Sequence, residues 1–464
     1  KLGLKIVSTK GTAKVLKERG HDVSLWLAGR DVESGSIAGW DGPVVSIPAS
    51  GFPSGLSAGL LTAPVSLVRA FFQSRAVMRT VRPDVLLAMG SYASVGPVLA
   101  ARNRGIPVVL HEANVVPGRA LTFLSRVASC VAVSFPQTKR YLRHGNVVHT
   151  GYPVRRDLAG SFEPGLLKPS LFTLLVMGGS QGATFLNQLS VAALQDLKEA
   201  GVPFQVVHLA GQHDAKWVET SYREAGITHL VFPFLKEVGK AYNAAQLVLG
   251  RAGAGACFEI LRCRVPALLV PFPYARRQHQ SANALALREL VGVDVMEQAH
   301  LTAPVLGKYL CDCIADRTRL DIVRRRMENI PVFDGADNLA KLVESVASGT
   351  IGCITTAEQG RYTMPIYEFY CPDCHMIFSF FSRKVNTTKS PSCPKCGRAR
   401  LGRQASRFAA PGRAKEHGAD GADFPVDEAK MERAVSALAS EAENIKEDDP
   451  RQAARLMRKF SGMT

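Results

Sequence analysis

Acidic side chains are scarce in this chain of 464 residues: 40 Asp and Glu stand against 57 Lys and Arg, a formal net charge of +17. The shortage is sharpest between residues 51 and 150, where Asp84 and Glu112 are the two acids among eleven Lys and Arg. Such a surface suits an anionic partner (phosphate groups, nucleic acid or an acidic membrane face), although a plainly solvated basic face has the same composition. A membrane-crossing run is also lacking. The uncharged stretch over 42–68 is long enough, but Pro43, Pro48, Pro53 and Pro64, with its Gly and Ser content, exclude a continuous spanning helix. No secretory signal is legible, because Lys1 and Lys5 are not followed by a proper apolar core. The chain opens on Lys1 instead of Met, so its natural start is expected further upstream. A disulfide framework is missing as well. Cys130, Cys257, Cys263, Cys311, Cys313 and Cys353 are scattered in apolar or mixed contexts and read as core filling, which suits a reducing cytoplasm.

What is present is alternation. "DVSLWLAG", "DVLLAMG", "IPVVLHE", "SCVAVSF" and "GNVVHTG" read as strands, while pieces such as "TAKVLKERG" and "SVGPVLAARNRG" end on Gly as helices do. The pattern starts again after residue 168 with "LFTLLVM", "FQVVHLAG", "HLVFPF", "AQLVLG" and "VPALLVPF", each followed by a helical segment. Near-continuous apolar strands between helices indicate an α/β fold with parallel sheets covered on both faces. Two successive sets indicate two doubly wound, Rossmann-like domains with a facing ligand cleft at the strand C-terminal ends. The boundaries read as 1–154 and 155–345, a linker over 346–363, a cysteine-paired unit over 364–408, and a linker with a charged helical tail over 409–464.

Three stretches of the second half carry chemistry. In "LFTLLVMGGSQGATFLNQL", Gly178, Gly179 and Gly182 let the backbone approach a ligand, and the helix start that follows favours phosphate. Ser180 and Gln181 add side-chain donors there, though any tight turn uses the same glycines. In "AQLVLGRAGAGACFEIL", Arg251 precedes a small-residue loop and a helix bearing Glu259. That carboxylate is placed either to bond a ribose diol or to complement the helix dipole as a first-turn acid. In "PFPYARRQHQSANAL", His279, Gln280 and Asn283 offer imidazole and amide groups suited to sugar hydroxyls. The helical segment with Leu60, Leu61, Leu67, Val68, Phe71 and Phe72 beside Arg69, Arg75 and Arg79 suits either docking on anionic lipid or an ordinary amphipathic core helix.

In this order and spacing, "HEANVVPGRA", "TGYPVR", "GGSQGA", "RAGAGACFEI" and "HQSANAL" resemble the MurG-type N-acetylglucosaminyltransferases of bacterial peptidoglycan synthesis, over about residues 9–345. The resemblance implies a GT-B fold and an inverting transfer of GlcNAc from UDP-GlcNAc to lipid I, undecaprenyl-pyrophosphoryl-MurNAc-pentapeptide, giving lipid II. It implies no cofactor or metal for the transfer. It also implies a peripheral place on the cytoplasmic face of the plasma membrane, with the anionic membrane surface and cell-wall synthesis proteins as partners, and a tie to cell shape and division. Carried over to this sequence, Arg155 and Ser180, with Gln181 beside it, would hold the diphosphate. Arg251 and the loop Ala254, Gly255, Ala256, Cys257, Phe258 and Glu259 would hold the uridine ribose and phosphate, with Leu235 near the uracil. His279 and Gln280 would read the GlcNAc hydroxyls. His111, Glu112 and Asn114 would face the cleft from the first domain as its catalytic group.

The family's Gly-Gly-Thr-Gly-Gly-His loop has no counterpart in "KLGLKIVSTKGTAKVL", and Tyr152 stands where the family has Asn. An inverting transfer needs a base, and losing one costs about 10²–10⁴ in rate. This chain is therefore expected to bind UDP-GlcNAc and transfer slowly. Further on, Cys371-x-x-Cys374 and Cys393-x-x-Cys396 have the spacing of a closed, structural Cys₄ zinc site whose metal supplies most of the folding energy. "MPIYEFYCPDC…CPKCG" resembles the FmdB-type regulatory zinc ribbon, over about residues 364–408. Three readings stand at this point: a glycosyltransferase with an appended ribbon, an impaired nucleotide-sugar-binding protein whose ribbon engages nucleic acid or protein, and a read-through fusion of two genes.

Overall fold

A computed structural model describes residues 10–27, 40–47, 59–155, 158–179, 183–331, 334–350, 366–373, 376–381, 390–393, 396–399 and 401–403. The region expected to match the family's Gly-rich loop (up to residue 9), Ser180, Gln181, Gly182, Cys374 and the tail over 409–464 lie outside them, as does the linker beyond residue 350.

The first half runs α1 (Lys10–Glu18), β1 (Leu25–Leu27), β2 (Val44–Ser46), α2 (Gly59–Val81), β3 (Leu86–Ala88), α3 (Val95–Asn103), β4 (Val108–Glu112), α4 (Arg119–Leu124), β5 (Cys130–Val133) and β6 (Val147–His149). Strands β3 to β6 form a parallel sheet in sequence order, and β1 pairs with β2 in a separate parallel ladder. Every residue of β4 and β5 is buried, as a sheet covered on both faces requires. Helix α2 lies on α3 so closely that a Cβ at Gly96 would stand 2.8 Å from that of Ala70. The apolar side of α2 is core: Leu67, Val68, Phe71 and Met78 are buried, and buried Arg75 donates from Nε to Asn103 Oδ1 at 2.8 Å. Along this part of the helix the apolar side is core, while Arg69 and Arg79 are exposed. Leu60 and Leu61 lie where side chains are outside the description.

The second half runs β7 (Phe172–Met177), α5 (Thr184–Glu199), β8 (Phe204–Leu209), α6 (Ala215–Glu224), β9 (His229–Phe232), α7 (Val238–Ala244), β10 (Leu247–Gly250), α8 (Ala254–Cys263), β11 (Ala267–Leu269), α9 (His279–Val291), β12 (Asp294–Val295), α10 (Ala303–Ala315), α11 (Thr318–Glu328) and α12 (Gly335–Ala347). Its sheet is parallel in the order β12-β11-β10-β7-β8-β9, so the order in which strands are added reverses between β7 and β10. Alternation along β7 feeds two cores. Leu175 and Met177 enter the one under α7, α8 and α9, while Leu174 and Val176 enter the one under α5 and α10. Loops at the C-terminal ends of β7 and β10 therefore sit where a doubly wound sheet binds ligands.

Two strands escape the sequence reading. β2 lies in a Pro-rich stretch, and β12 has two residues. Helix α12 packs on the first half: Gly335 meets the backbone of Gly151 and Tyr152, and Asn338 Nδ2 donates to Thr150 O at 3.2 Å. Arg19 Nη1 and His21 Nε2 reach the Glu344 carboxylate at 2.6 and 2.7 Å. These contacts seat α12 on the N-terminal half.

Thr350–Val426 is a unit of its own. Its β13 (Ile366–Cys371) and β14 (Met376–Phe381) form an antiparallel hairpin that registers Cys371 opposite Met376, and β15 (Gly402–Arg403) joins the other edge of β13.

Candidate active site

Two loops meet where the halves touch. The first follows β4. Glu112, at the end of that buried strand, accepts from Asn114 N at 2.9 Å, Asn114 Nδ2 at 3.2 Å and Gly118 N at 3.1 Å. Burial pushes its carboxyl above the ordinary range, and these N–H donors pull the other way. The carboxylate thus ties the turn from Ala113 to Gly118 into one shape. His111 lies deeper, 1% exposed, with Nε2 3.1 Å from Ser134 Oγ, and burial pushes it down to about 4. It is neutral at neutral pH and sits under the loop. Of the three groups expected to be catalytic, Asn114 alone is half-buried at the junction; His111 and Glu112 form the frame beneath it.

The second loop follows β10. Gly253 precedes α8 in extended conformation, and its carbonyl accepts from Cys257 N at 3.0 Å. The N–H groups of Ala254, Gly255 and Ala256 open the helix, and first-turn N–H groups have no acceptor within a helix, which favours an anion. Cys257 points the other way. It is 1% exposed in the core, burial pushes its thiol up to about 12, and it offers a ligand only backbone. Phe258 packs in a stack, 5.5 Å from Tyr152 at an interplanar angle of 10° and 4.8 Å from Phe135.

Glu259 stands in the second turn of α8, too far along for the first-turn role. It accepts from Tyr242 Oη at 3.1 Å and pairs with Arg155 Nε at 3.2 Å, and its side chain is 14% exposed. Burial raises the Tyr242 phenol well above its ordinary range, reinforced by the adjacent carboxylate. Arg155 and Glu259 are brought together. Arg251 is not. Its Nη1 donates to Val270 O at 3.1 Å and Pro271 O at 3.2 Å, its Nη2 to Gln298 Oε1 at 2.8 Å, and Phe272 lies against the guanidinium. Those bonds brace the turn after β11, so a phosphate role for Arg251 has no support here. Leu235 packs, partly buried, against the core under α8.

His279 opens α9 half-buried, and Gln280 Oε1 accepts from Phe272 N at 2.9 Å. Asn283, expected to face a sugar, is fully buried and bonded to Asn114, Val115 and Ala252. Tyr242 was missed by the sequence reading because its partner lies 17 residues away on another helix.

In the ribbon, Cys393 N donates to Arg398 O at 2.8 Å and Gly397 N to Cys393 O at 2.9 Å; Gly397 takes φ +75°, closing a knuckle turn around a Cys393 that is 3% exposed. Arg398, just past the second pair, contacts Asp373 inside the first. Cys374 and the Cys371 side chain lie outside the described residues; the four-cysteine donor set of the sequence suits a tetrahedral zinc ion.

Models of known families match along the chain: the glycosyltransferase family 28 N-terminal domain over residues 8–133, its C-terminal domain over 173–338, and a zinc ribbon domain over 364–405. A UDP-N-acetylglucosamine–N-acetylmuramyl-(pentapeptide) pyrophosphoryl-undecaprenol N-acetylglucosamine transferase of Hahella chejuensis is 36% identical over 315 residues, 67% of this chain and 86% of that one. The chain belongs to this transferase family. The Stutzerimonas stutzeri member is 33% identical over 337 residues, 73% of this chain and 94% of its own. The crystal structure of Acinetobacter baumannii MurG superposes with a TM-score of 0.59 at 26% identity, covering 74% of this chain and 99% of that one. The transferase body is thus a GT-B glycosyltransferase, and a zinc ribbon follows it.

Proposed function

We propose that the transferase body moves GlcNAc from UDP-GlcNAc to undecaprenyl-pyrophosphoryl-MurNAc-pentapeptide, making lipid II. The relatives' names carry both substrates. In this chain the supporting observation is the Glu259 carboxylate, held at the sheet's C-terminal edge by two side chains, Tyr242 and Arg155, beside the opening turn of α8. In this reading the α8 N–H groups receive a donor phosphate and Arg155 turns to the diphosphate. Glu259 then bonds the ribose hydroxyls, and His279 with Gln280 meets the GlcNAc. Ser180 and Gln181 complete the diphosphate site, and Leu235 borders the uracil. Inversion at the anomeric carbon follows when the acceptor hydroxyl attacks opposite the UDP leaving group. Calorimetry on the full chain tests the donor half: Glu259→Ala is expected to weaken UDP binding about tenfold, the scale of a lost charge-assisted pair. An unchanged affinity would remove the ribose assignment.

For a lipid-linked acceptor the enzyme would work as a peripheral protein on the cytoplasmic membrane face. No helix among the described residues is long and apolar enough to cross a membrane. The ribbon would hold one Zn²⁺ through Cys371, Cys374, Cys393 and Cys396 as a folding element. Metal analysis of the full chain is expected to find one zinc, lost in a Cys371→Ser, Cys393→Ser variant; zinc-free protein would rule this out.

A further inference from the structure

The two loops of the active site are joined by a single side chain. Asn283 lies on α9, four residues after His279, and is fully buried. Its Oδ1 accepts from Val115 N at 2.9 Å, while its Nδ2 donates to Asn114 Oδ1 at 3.1 Å and to Ala252 O at 3.1 Å. One amide therefore holds the loop after β4 in the N-terminal half and the loop after β10 in the C-terminal half.

The direction of every bond in this chain is determined. A backbone N–H only donates, so the Val115 contact fixes which end of the Asn283 amide is oxygen. Asn114 must then accept with Oδ1, which leaves its Nδ2 for Glu112 Oε1, where it stands at 3.2 Å. Glu112, as a carboxylate, accepts only. Carboxylate, amide and amide form a directional relay from the end of β4 to α9. The Asn114 carbonyl is pinned as well, accepting from Thr138 Oγ1 at 3.0 Å.

A second contact draws the same segments together. Arg277 and Gln278, just before α9, both take left-handed backbone conformations at φ +53° and +50°. Two successive non-glycine residues there carry strain that the surroundings must hold in place. Arg277 Nη1 reaches Pro117 O at 3.1 Å, in the loop that Glu112 shapes.

We propose that Asn283 is a positioning residue for the transfer, setting the acceptor-side loop 112–118 in register with the donor-side loop 251–256 through Asn114, with Arg277 as the outer clasp. This rests on the donor and acceptor assignment above. On that assignment, a donor seated on α8 and read by His279 at the start of α9 finds the acceptor loop already placed. Losing the Asn114 end of the bridge keeps the Asn283 bond to Ala252 on the donor side and costs the productive alignment of the second substrate, where a misplacement of about 1 Å can cost on the order of 10²-fold.

The test is a double-variant cycle in the full chain with Asn114→Ala, Asn283→Ala and both together. UDP affinity is measured by calorimetry, and kcat and KM for a lipid I analogue by transfer of labelled GlcNAc. Asn114→Ala is expected to lower kcat/KM for the acceptor about 10- to 100-fold while UDP affinity moves less than about threefold. The double variant should lose no more than the worse single one. Multiplicative losses in the double variant, or a loss confined to UDP affinity, would overturn the proposal. Should Asn283→Ala fail to fold, Arg277→Ala, at an exposed position, is expected to lower the same acceptor parameter about threefold, and no change there would count against the clasp. Failure of the unaltered chain to bind UDP would instead strike the function reading itself.

Discussion

Glu112 and Glu259 are both shielded carboxylates near the C-terminal edge of a parallel sheet, one in each half, and they are satisfied differently. Glu112 is held by N–H groups of its own loop, two of them backbone. Glu259 is held by two side chains from elsewhere, Tyr242 and Arg155. Backbone donors cannot leave without unfolding the turn, and the Tyr242 phenol is fixed in the core, whereas the half-exposed Arg155 guanidinium can swing aside for a ribose. The first arrangement shapes a loop, and the second suits the exchange of Arg155 for a ligand that the proposed function requires. The difference teaches that an acid which reads as catalytic in a sequence can also tie a loop in the fold.

The sharpest way to break that comparison is to remove each carboxylate. Glu112→Ala takes the acceptor from two backbone N–H groups, those of Asn114 and Gly118, and frees the Asn114 amide, so the loop loses its shape. A fall in kcat of about 10²-fold is expected together with a drop in unfolding free energy of about 2–3 kcal/mol, read from steady-state rates and urea melts. Glu259→Ala should instead cost about 1 kcal/mol, from the buried Tyr242 hydroxyl it leaves without this partner, while UDP affinity falls. If Glu112→Ala proved stable with intact kcat, the two glutamates would not differ in the way the hydrogen bonds indicate.

Much of this was legible beforehand, and the gaps have physical causes. Ten strand segments were read correctly because a buried parallel strand is apolar on both faces, and that signal is local. The helix ends at Gly20 and Gly105 were legible because both glycines take the left-handed conformation. Cys130 and Cys257 are core residues, as their apolar neighbours indicated, and burial raises both thiols to about 12, while Cys263 packs half-buried against the core, its thiol raised to about 11. The roles of Arg251, Asn283 and Tyr242 were not legible. Each depends on a partner in another element, such as Gln298 for Arg251, and no local pattern encodes that pairing. The place of α12 was hidden for the same reason, since Arg19 and Glu344 meet across 325 residues.

A smaller effect tests where the halves are alike. His111 in β4 and His208 in β8 are both buried; burial pushes them down to about 4 and about 3. His208 is bonded through Nδ1 to Tyr222 Oη at 2.9 Å and through Nε2 to Asn187 Oδ1 at 3.0 Å. For a histidine whose folded value is depressed, the unfolded chain takes up the proton first, so stability is full above about 6.5 and falls as the pH drops below it. The loss grows until the folded value is reached, at about 4 for His111 and lower for His208. Each site should cost on the order of 2–3 kcal/mol between pH 7 and 4.5. Urea melts of a His208→Gln variant at both pH values are expected to show a shallower dependence than the parent; an equal slope would mean that other groups set the acid limit.

The smallest difference sits at two helix crossings. In the N-terminal half, α2 crosses α3 at Gly96, where an added Cβ would stand 2.8 Å from Ala70 Cβ and 2.9 Å from Ala70 C. In the C-terminal half, α5 crosses α10 at Gly307, where it would stand 3.2 Å from Leu197 Cδ1. Backbone cannot retreat without moving a helix, whereas the end of a leucine can turn slightly within its core. Gly96→Ala should therefore cost about 1–3 kcal/mol by overpacking, even after the gain in helix propensity. At Gly307 that gain, about 1 kcal/mol for replacing a mid-helix glycine, roughly offsets the contact, so Gly307→Ala should fall within about 0.5 kcal/mol of the parent. Thermal melts of the two variants side by side decide it. Equal losses would mean that the Leu197 side chain is held as rigidly as the α2 backbone, and that the C-terminal half has no more give at its helix contacts than the N-terminal one.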